Sequence, residues 1–223
     1  MRSVAIDGPA GAGKSTLAKQ AAKELEFLYV DTGAIYRTVA LKAVRAGADP
    51  ADPAQVVPLL EGLDLRMDYG PDGEQRMFLE GEDVSAAIRE HRISGLASQV
   101  SAIPEVRAFL LDFQRKLARE HDVLMDGRDI GTVVLPNADV KVFLTAAPEA
   151  RARRRVRDLE LRGQQADYDT VLRDIIARDE QDRNRPIAPL RQAEDAVLLD
   201  TTNLNLAQSL EALLAVIKEK IDL

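Results

Sequence analysis

Residues 8 to 19 read GPAGAGKSTLAK, and the reading of this stretch decides the fold. It follows a short apolar run, Val4-Ala5-Ile6, and fits G-x-x-x-x-G-K-[ST] with Gly8, Gly13, Lys14 and Ser15 in the fixed places. The spacing has a mechanism. A glycine-rich turn lets successive backbone N–H groups face inward on phosphate oxygens. Lys14 adds a point charge that reaches β- and γ-phosphates, and Ser15 offers a hydroxyl to Mg²⁺. From Ser15 onward, STLAKQAAKEL reads as a helix with Leu17, Ala18, Ala21, Ala22 and Leu25 on one apolar face. The positive end of its dipole falls on the same spot. Gly8, Pro9, Ala10, Gly11, Ala12, Gly13, Lys14, Ser15 and Thr16 are therefore read as the cradle of a nucleoside triphosphate.

The rest of the composition narrows the class. At 223 residues the chain suits one α/β domain with small insertions. Cysteine is absent, which excludes disulfides and thiolate chemistry and suits a reducing cytoplasm. The first strand starts close to Met1, so no signal peptide is expected. No apolar run approaches the ~20 residues of a membrane span. A net charge of −7 argues against a general nucleic-acid binder, though a local arginine cluster could still hold a small anion. His91 and His121 stand alone among charged residues and read as surface positions rather than metal ligands.

Five continuous apolar runs recur between helical stretches: Ser3–Ile6, Phe27–Val30, Val123–Met125, Val140–Leu144 and Ala196–Leu199. Continuity is the mark of strands buried on both faces, so a parallel, doubly wound α/β sheet of five strands is expected. Ligands of such a sheet collect at the carboxyl ends of its strands. Four of the runs are followed at once by polar residues: Asp7-Gly8, Asp31-Thr32-Gly33, Asp126-Gly127-Arg128-Asp129 and Asp200-Thr201-Thr202-Asn203. Between Gly47 and Val84 the pattern changes. Two alternating runs, Leu63–Asp68 and Gln75–Leu79, flank a turn over Tyr69–Glu74 and predict a hairpin, extended by Glu82–Val84. This reads as an insertion with its own small sheet. Glu149–Gly163 is expected to be an arginine-rich helix and Asp169–Arg185 a second one, stopped by Pro186 and Pro189.

Three polar constellations describe a phosphoryl acceptor. In DTGAIYR, residues 31 to 37, Asp31 or Thr32 can cap a helix that carries Thr32 and Tyr36 on one face with Arg37 beside them. In DGRDIGT, residues 126 to 132, two carboxylates and an arginine stand at a strand end; Arg128 suits a bidentate phosphate contact and Asp129 can accept from an amine. In ARDEQDRNRP, residues 177 to 186, Arg178, Asp182 and Arg185 fall at i, i+4 and i+7 as one charged stripe. On its own such a stripe is more often a solvated face laced with ion pairs. Guanine-specific GTPases are disfavoured, because no N-K-x-D element occurs.

Together with LEGEDVS, ASQVSAIPEVR and MDGRDIGTVVLP, these stretches resemble the bacterial cytidylate kinases, within the nucleoside monophosphate kinases, along the whole chain. The resemblance implies a P-loop kinase core (1–31, 113–150 and 168–223), a monophosphate-binding region at 32–112 with the small sheet at about 60–85, and a lid at 151–167. It implies transfer of the ATP γ-phosphoryl group to CMP or dCMP with Mg²⁺, by a monomer. Thr32, Tyr36 and Arg37 would then line the CMP site, with Arg37, Arg128 and Arg185 on its phosphate. Ser98, Arg107 and Asp129 would face the cytosine, and Arg178 with Asp182 the sugar. Arg151, Arg154, Arg155 and Arg157 lie in the stretch resembling the lid, with Arg154 and Arg157 as candidates to close on the transferring phosphate. The alternatives are another small P-loop kinase, acting on UMP, thymidylate, AMP or a metabolite such as shikimate, and a P-loop regulatory switch.

Overall fold

The structure is a computed structural model that describes residues 1–161 and 163–221; the His91 side chain lies outside what is described. In chain order the main elements are β1 (Ser3–Asp7), α1 (Lys14–Leu25), β2 (Leu28–Asp31), α2 (Thr32–Arg45) and α3 (Pro53–Val56). The hairpin strands β3 (Leu65–Tyr69) and β4 (Gln75–Leu79) and the short β5 (Glu82–Asp83) follow. Then come α4 (His91–Val100), α5 (Pro104–Glu120), β6 (Val123–Gly127), β7 (Val140–Thr145), α6 (Pro148–Leu161), α7 (Tyr168–Asn184), β8 (Val197–Asp200) and α8 (Leu206–Ile221). The chain forms two compact units, Met1–Tyr29 with Glu120–Leu223, and Val30–Arg119.

The five-stranded parallel sheet has the order β2-β6-β1-β7-β8. Its three central strands are buried along almost their whole length, although β7 places Lys141 among its buried residues. Val4 and Ile6 of β1, Leu124 of β6, and Val142 and Leu144 of β7 pack with Leu17 and Ala21 of α1 and Leu213 and Ile217 of α8. Parallel register pairs Asp7 with Gly127 and, on the other side, with Phe143, so the carboxyl ends of the central strands come level. Continuity of apolar residues misleads at the sheet's edges. β8 alternates between half-buried and exposed, with Leu198 57% exposed, and β2 buries only Val30 fully.

In the second unit the predicted hairpin forms as β3 and β4, turning over Gly70–Glu74, with β5 antiparallel to β4. Its inward residues Met77 and Leu79 are buried, as are Ile35 and Val39 of α2, Ile88, and Ile93 of α4. Asp31 caps α2 by accepting from the Ala34 N–H at 2.9 Å. The second charged helix, α7, ends one residue earlier than the sequence suggests. Arg185 has extended backbone angles beyond its last turn, so Arg178, Asp182 and Arg185 do not form one helical stripe. Among the described residues no helix is long and apolar enough to cross a membrane.

Candidate active site

The phosphate loop leaves β1 at Gly8 under a tight constraint. Gly8 has φ +154°, and a Cβ there would stand 1.9 Å from the Leu144 carbonyl oxygen at the end of β7. No side chain fits. Gly13, in the left-handed region at φ +89°, is the N-cap of α1, and its first turn has neither a side-chain cap nor an acidic residue. The leading N–H groups of α1 thus keep their affinity for an anion. Lys14 is buried at 5% exposure and donates to the Pro9 carbonyl at 2.8 Å. Burial, reinforced by the neighbouring Arg128 charge, lowers its pKa to about 7.

Two carboxylates at the sheet's carboxyl end bond to the segments that leave it. Asp126 accepts from the Ser15 hydroxyl at 2.8 Å with one oxygen and from the Tyr29 hydroxyl at 2.8 Å with the other. Asp7 accepts from the N–H groups of Ile130 and Gly131, each at 2.7 Å. Desolvation outweighs those two bonds and raises the Asp7 pKa to about 6. The bonds hold a single wide helical turn, Ile130–Val134, directly after Asp129. In the sequence Asp7 stood out only as a polar residue at a strand end, and Tyr29 read as a strand residue. The strand-end position of Asp7 before a glycine was the available signal.

The charged residues of this unit singled out in the sequence are drawn together by two ion pairs. Arg128 Nε donates to Asp182 at 2.8 Å, and Arg185 Nη2 donates to Asp129 at 3.3 Å. Asp182 and Asp129 are both about 5% exposed, so these are not loose surface pairs. Arg185 reaches Asp129 because Pro186–Leu190 folds back: the Leu190 N–H donates to the Asp182 carbonyl, and Arg185 Nε to the carbonyl of Ala188. Leaving the helix aims Arg185 back at the loop after β6. Arg178 is half-buried on α7.

Residues 4–219 match the sequence model of the cytidylate kinases. The chain belongs to the cytidylate kinase family. It is 48% identical over 219 residues to the cytidylate kinase of Carboxydothermus hydrogenoformans, covering 98% of both chains. It is 47% identical over 211 residues to that of Caldicellulosiruptor bescii, covering 95% of this chain and 93% of the other. A solved uncharacterized protein from Eubacterium ventriosum aligns at TM-score 0.50 and 14% identity over 99% of this chain and 98% of its own, a likeness of fold alone. Family membership makes the chain a phosphotransferase.

The second unit holds the other family-implied residues. Arg37 Nη2 donates to Asp31 at 2.7 Å, while its Nε is buried without a hydrogen-bond partner. Arg107, 8% exposed, lies 5.6 Å over the Tyr36 ring and donates to the Ser101 carbonyl. The Ser101 hydroxyl donates in turn to the carbonyl of Ser98, on α4. Thr32 is buried at the start of α2.

The arginine-rich helix divides by depth. Arg151, which reads in sequence as one of the lid arginines, is 1% exposed and forms a two-point pair with Asp179 of α7. It also donates to the carbonyls of Ala146 and Ala10, the latter within the phosphate loop. Arg154 donates to the carbonyls of Thr201 and Leu204 in the loop after β8. Arg157 is exposed.

Proposed function

We propose that the chain transfers the γ-phosphoryl group of ATP to CMP or dCMP, giving ADP and CDP or dCDP, as an enzyme of pyrimidine nucleotide metabolism in the cytoplasm. The observation that carries this reading beyond the family is the pair of carboxylate-held arginines, Arg128 and Arg185, at the loop after β6. A regulatory switch that only hydrolyses nucleotide has no use for such acceptor-side cations. Arg37 supports the same reading, because a buried guanidinium nitrogen without a partner is costly until an anion supplies one.

The chemistry asks little of a base. The attacking atom is a phosphate oxygen of CMP, already mostly ionised near neutrality with a second pKa of ~6. It forms a bond to the γ-phosphorus as the bond to the β,γ-bridging oxygen breaks, leaving ADP. Catalysis is then positioning and charge neutralisation by Lys14 and by Arg37, Arg128 and Arg185 in a water-poor site. Mg²⁺ fits the donor set: the Ser15 hydroxyl and the Asp126 carboxylate bonded to it are hard oxygen donors. When bound with ATP, the ion would neutralise charge on the β- and γ-phosphates. Arg154 and Arg157 are assigned to the approach of the lid helix, and Arg178 with Asp182 to the sugar.

For the base, Asp129 and Ser98 accept from the N4 amine of cytosine and Arg107 donates to its ring acceptors. Uracil presents a carbonyl where cytosine has the amine, so a carboxylate there rejects it as well as selecting CMP. ADP release measured with CMP, dCMP, UMP, AMP and shikimate tests the reading. CMP and dCMP should stimulate release most. A preference for shikimate, or release that no acceptor stimulates, would refute it.

A further inference from the structure

The inserted sheet reaches the residue that orients Arg37, and it does so through one glutamine. Gln75 opens β4 and is 7% exposed. Its carboxamide lies along the main chain of Asp31: Oε1 accepts from the Asp31 N–H at 2.7 Å, and Nε2 donates to the Asp31 carbonyl at 3.3 Å. Nε2 also lies 3.3 Å from the Met77 sulfur. A primary amide that meets both polar groups of one residue holds it as a neighbouring strand would.

Asp31 passes that constraint on. With its main chain fixed, one carboxylate oxygen accepts from the Ala34 N–H at 2.9 Å and caps α2. The other accepts from Arg37 Nη2 at 2.7 Å. Gly33 makes room for the pair, since a Cβ there would stand 3.0 Å from both Arg37 Nη1 and an Asp31 oxygen. The result is a guanidinium held at one edge, with a buried Nε left for another partner. Lys42–Glu80 and Arg45–Glu82 also tie α2 to the insertion, but they run along its solvent-facing side. They fasten the sheet without touching Arg37.

We infer that Gln75 is a positioning residue for the acceptor phosphate, setting the angle of Arg37 through Asp31. The inference rests on the proposal that Arg37 binds the CMP phosphate. It gives the inserted sheet a part in acceptor affinity, although the sheet itself presents no residue assigned to CMP.

The test is a double-mutant cycle in steady-state kinetics. Gln75→Met keeps length and volume and removes the amide. It should raise KM for CMP about tenfold, the loss expected of a buried hydrogen-bonding group, and leave KM for ATP within about twofold. In an Arg37→Ala background the same change should have no further effect on KM for CMP, because the path to the phosphate is already cut. A tenfold rise that persists beside Arg37→Ala would overturn the inference, as would an unchanged KM for CMP in folded Gln75→Met. If thermal unfolding shows that Gln75→Met does not fold, Gln75→Asn serves in its place, keeping polarity while too short to span both Asp31 groups. A normal KM for CMP in Arg37→Ala alone would instead refute the assignment of Arg37, and the inference with it. Failure of wild-type protein to use CMP would refute the proposed reaction itself.

Discussion

Lys14 is a buried cation whose charged form is disfavoured without substrate, since burial and the neighbouring Arg128 lower its pKa to about 7. The phosphates of ATP supply the missing countercharge and should pull that pKa back up. At pH 8, above that value, free Lys14 is mostly neutral, whereas Asp7, at about 6, is already ionised. ATP binding at pH 8 should therefore be accompanied by proton uptake, measurable by calorimetry in two buffers of different ionisation enthalpy. Lys14→Ala should abolish the uptake; uptake that survives the change would place the titrating group elsewhere. The same variant should lose on the order of 10²-fold in kcat, about 3 kcal/mol, with CMP affinity nearly intact. At Asp129 two roles compete. As the partner of the cytosine amine, its loss should lower kcat/KM for CMP by roughly 10- to 100-fold and leave UMP level. As the partner of Arg185 at 3.3 Å, its loss would lower both substrates equally. The CMP-to-UMP ratio in Asp129→Ala separates the two, and it is expected to collapse.

Helices α6 and α7 are joined by the Arg151–Asp179 pair, which also anchors the Ala10 carbonyl of the phosphate loop. Both partners are at least 97% buried. Arg151→Ala leaves Asp179 unpaired in the interior and should cost roughly 3–5 kcal/mol, read as a lowered denaturation midpoint. The apolar pair Arg151→Met with Asp179→Leu should recover most of that stability and still raise KM for ATP, because Ala10 has lost its donor. Recovery of both would make the pair purely structural. The pinned first turns of α6 set a second expectation. If the far half of the helix is the lid, amides of 157–161 and 163–167 should exchange quickly without ligand and slow when both substrates bind. Fast exchange unchanged by substrates would remove the lid assignment. None of this division was legible in the sequence. An arginine-rich helix and an acidic one look alike whether their charges face water or each other, and Arg151 and Asp179 stand 28 residues apart.

Across the whole molecule, what could be read in advance followed from local physics. The phosphate loop was legible because its spacing is dictated by the ligand. The central strands were legible because burial on both faces leaves continuous apolar runs. The hairpin β3–β4 showed itself by alternation around a Gly-Pro turn. The edge strand β8 misled because its apolar run carries no sign of having one neighbour. The partners of Asp7, Tyr29 and Gln75 stayed hidden because each contact is distant in sequence, Gln75 with Asp31 across 44 residues. Motif and family resemblance propose residues to touch a substrate, but they give no sign of the residues that hold those in place. The acceptor remains the central claim, and one competition experiment tests it directly. Wild-type protein is given ATP, Mg²⁺ and equal concentrations of CMP and UMP, and the nucleoside diphosphates are separated as they form. CDP should lead UDP by at least about tenfold in initial rate, as expected of a site that pairs a buried carboxylate with the amine. Equal rates of CDP and UDP, or ADP appearing with neither, would contradict CMP as the acceptor.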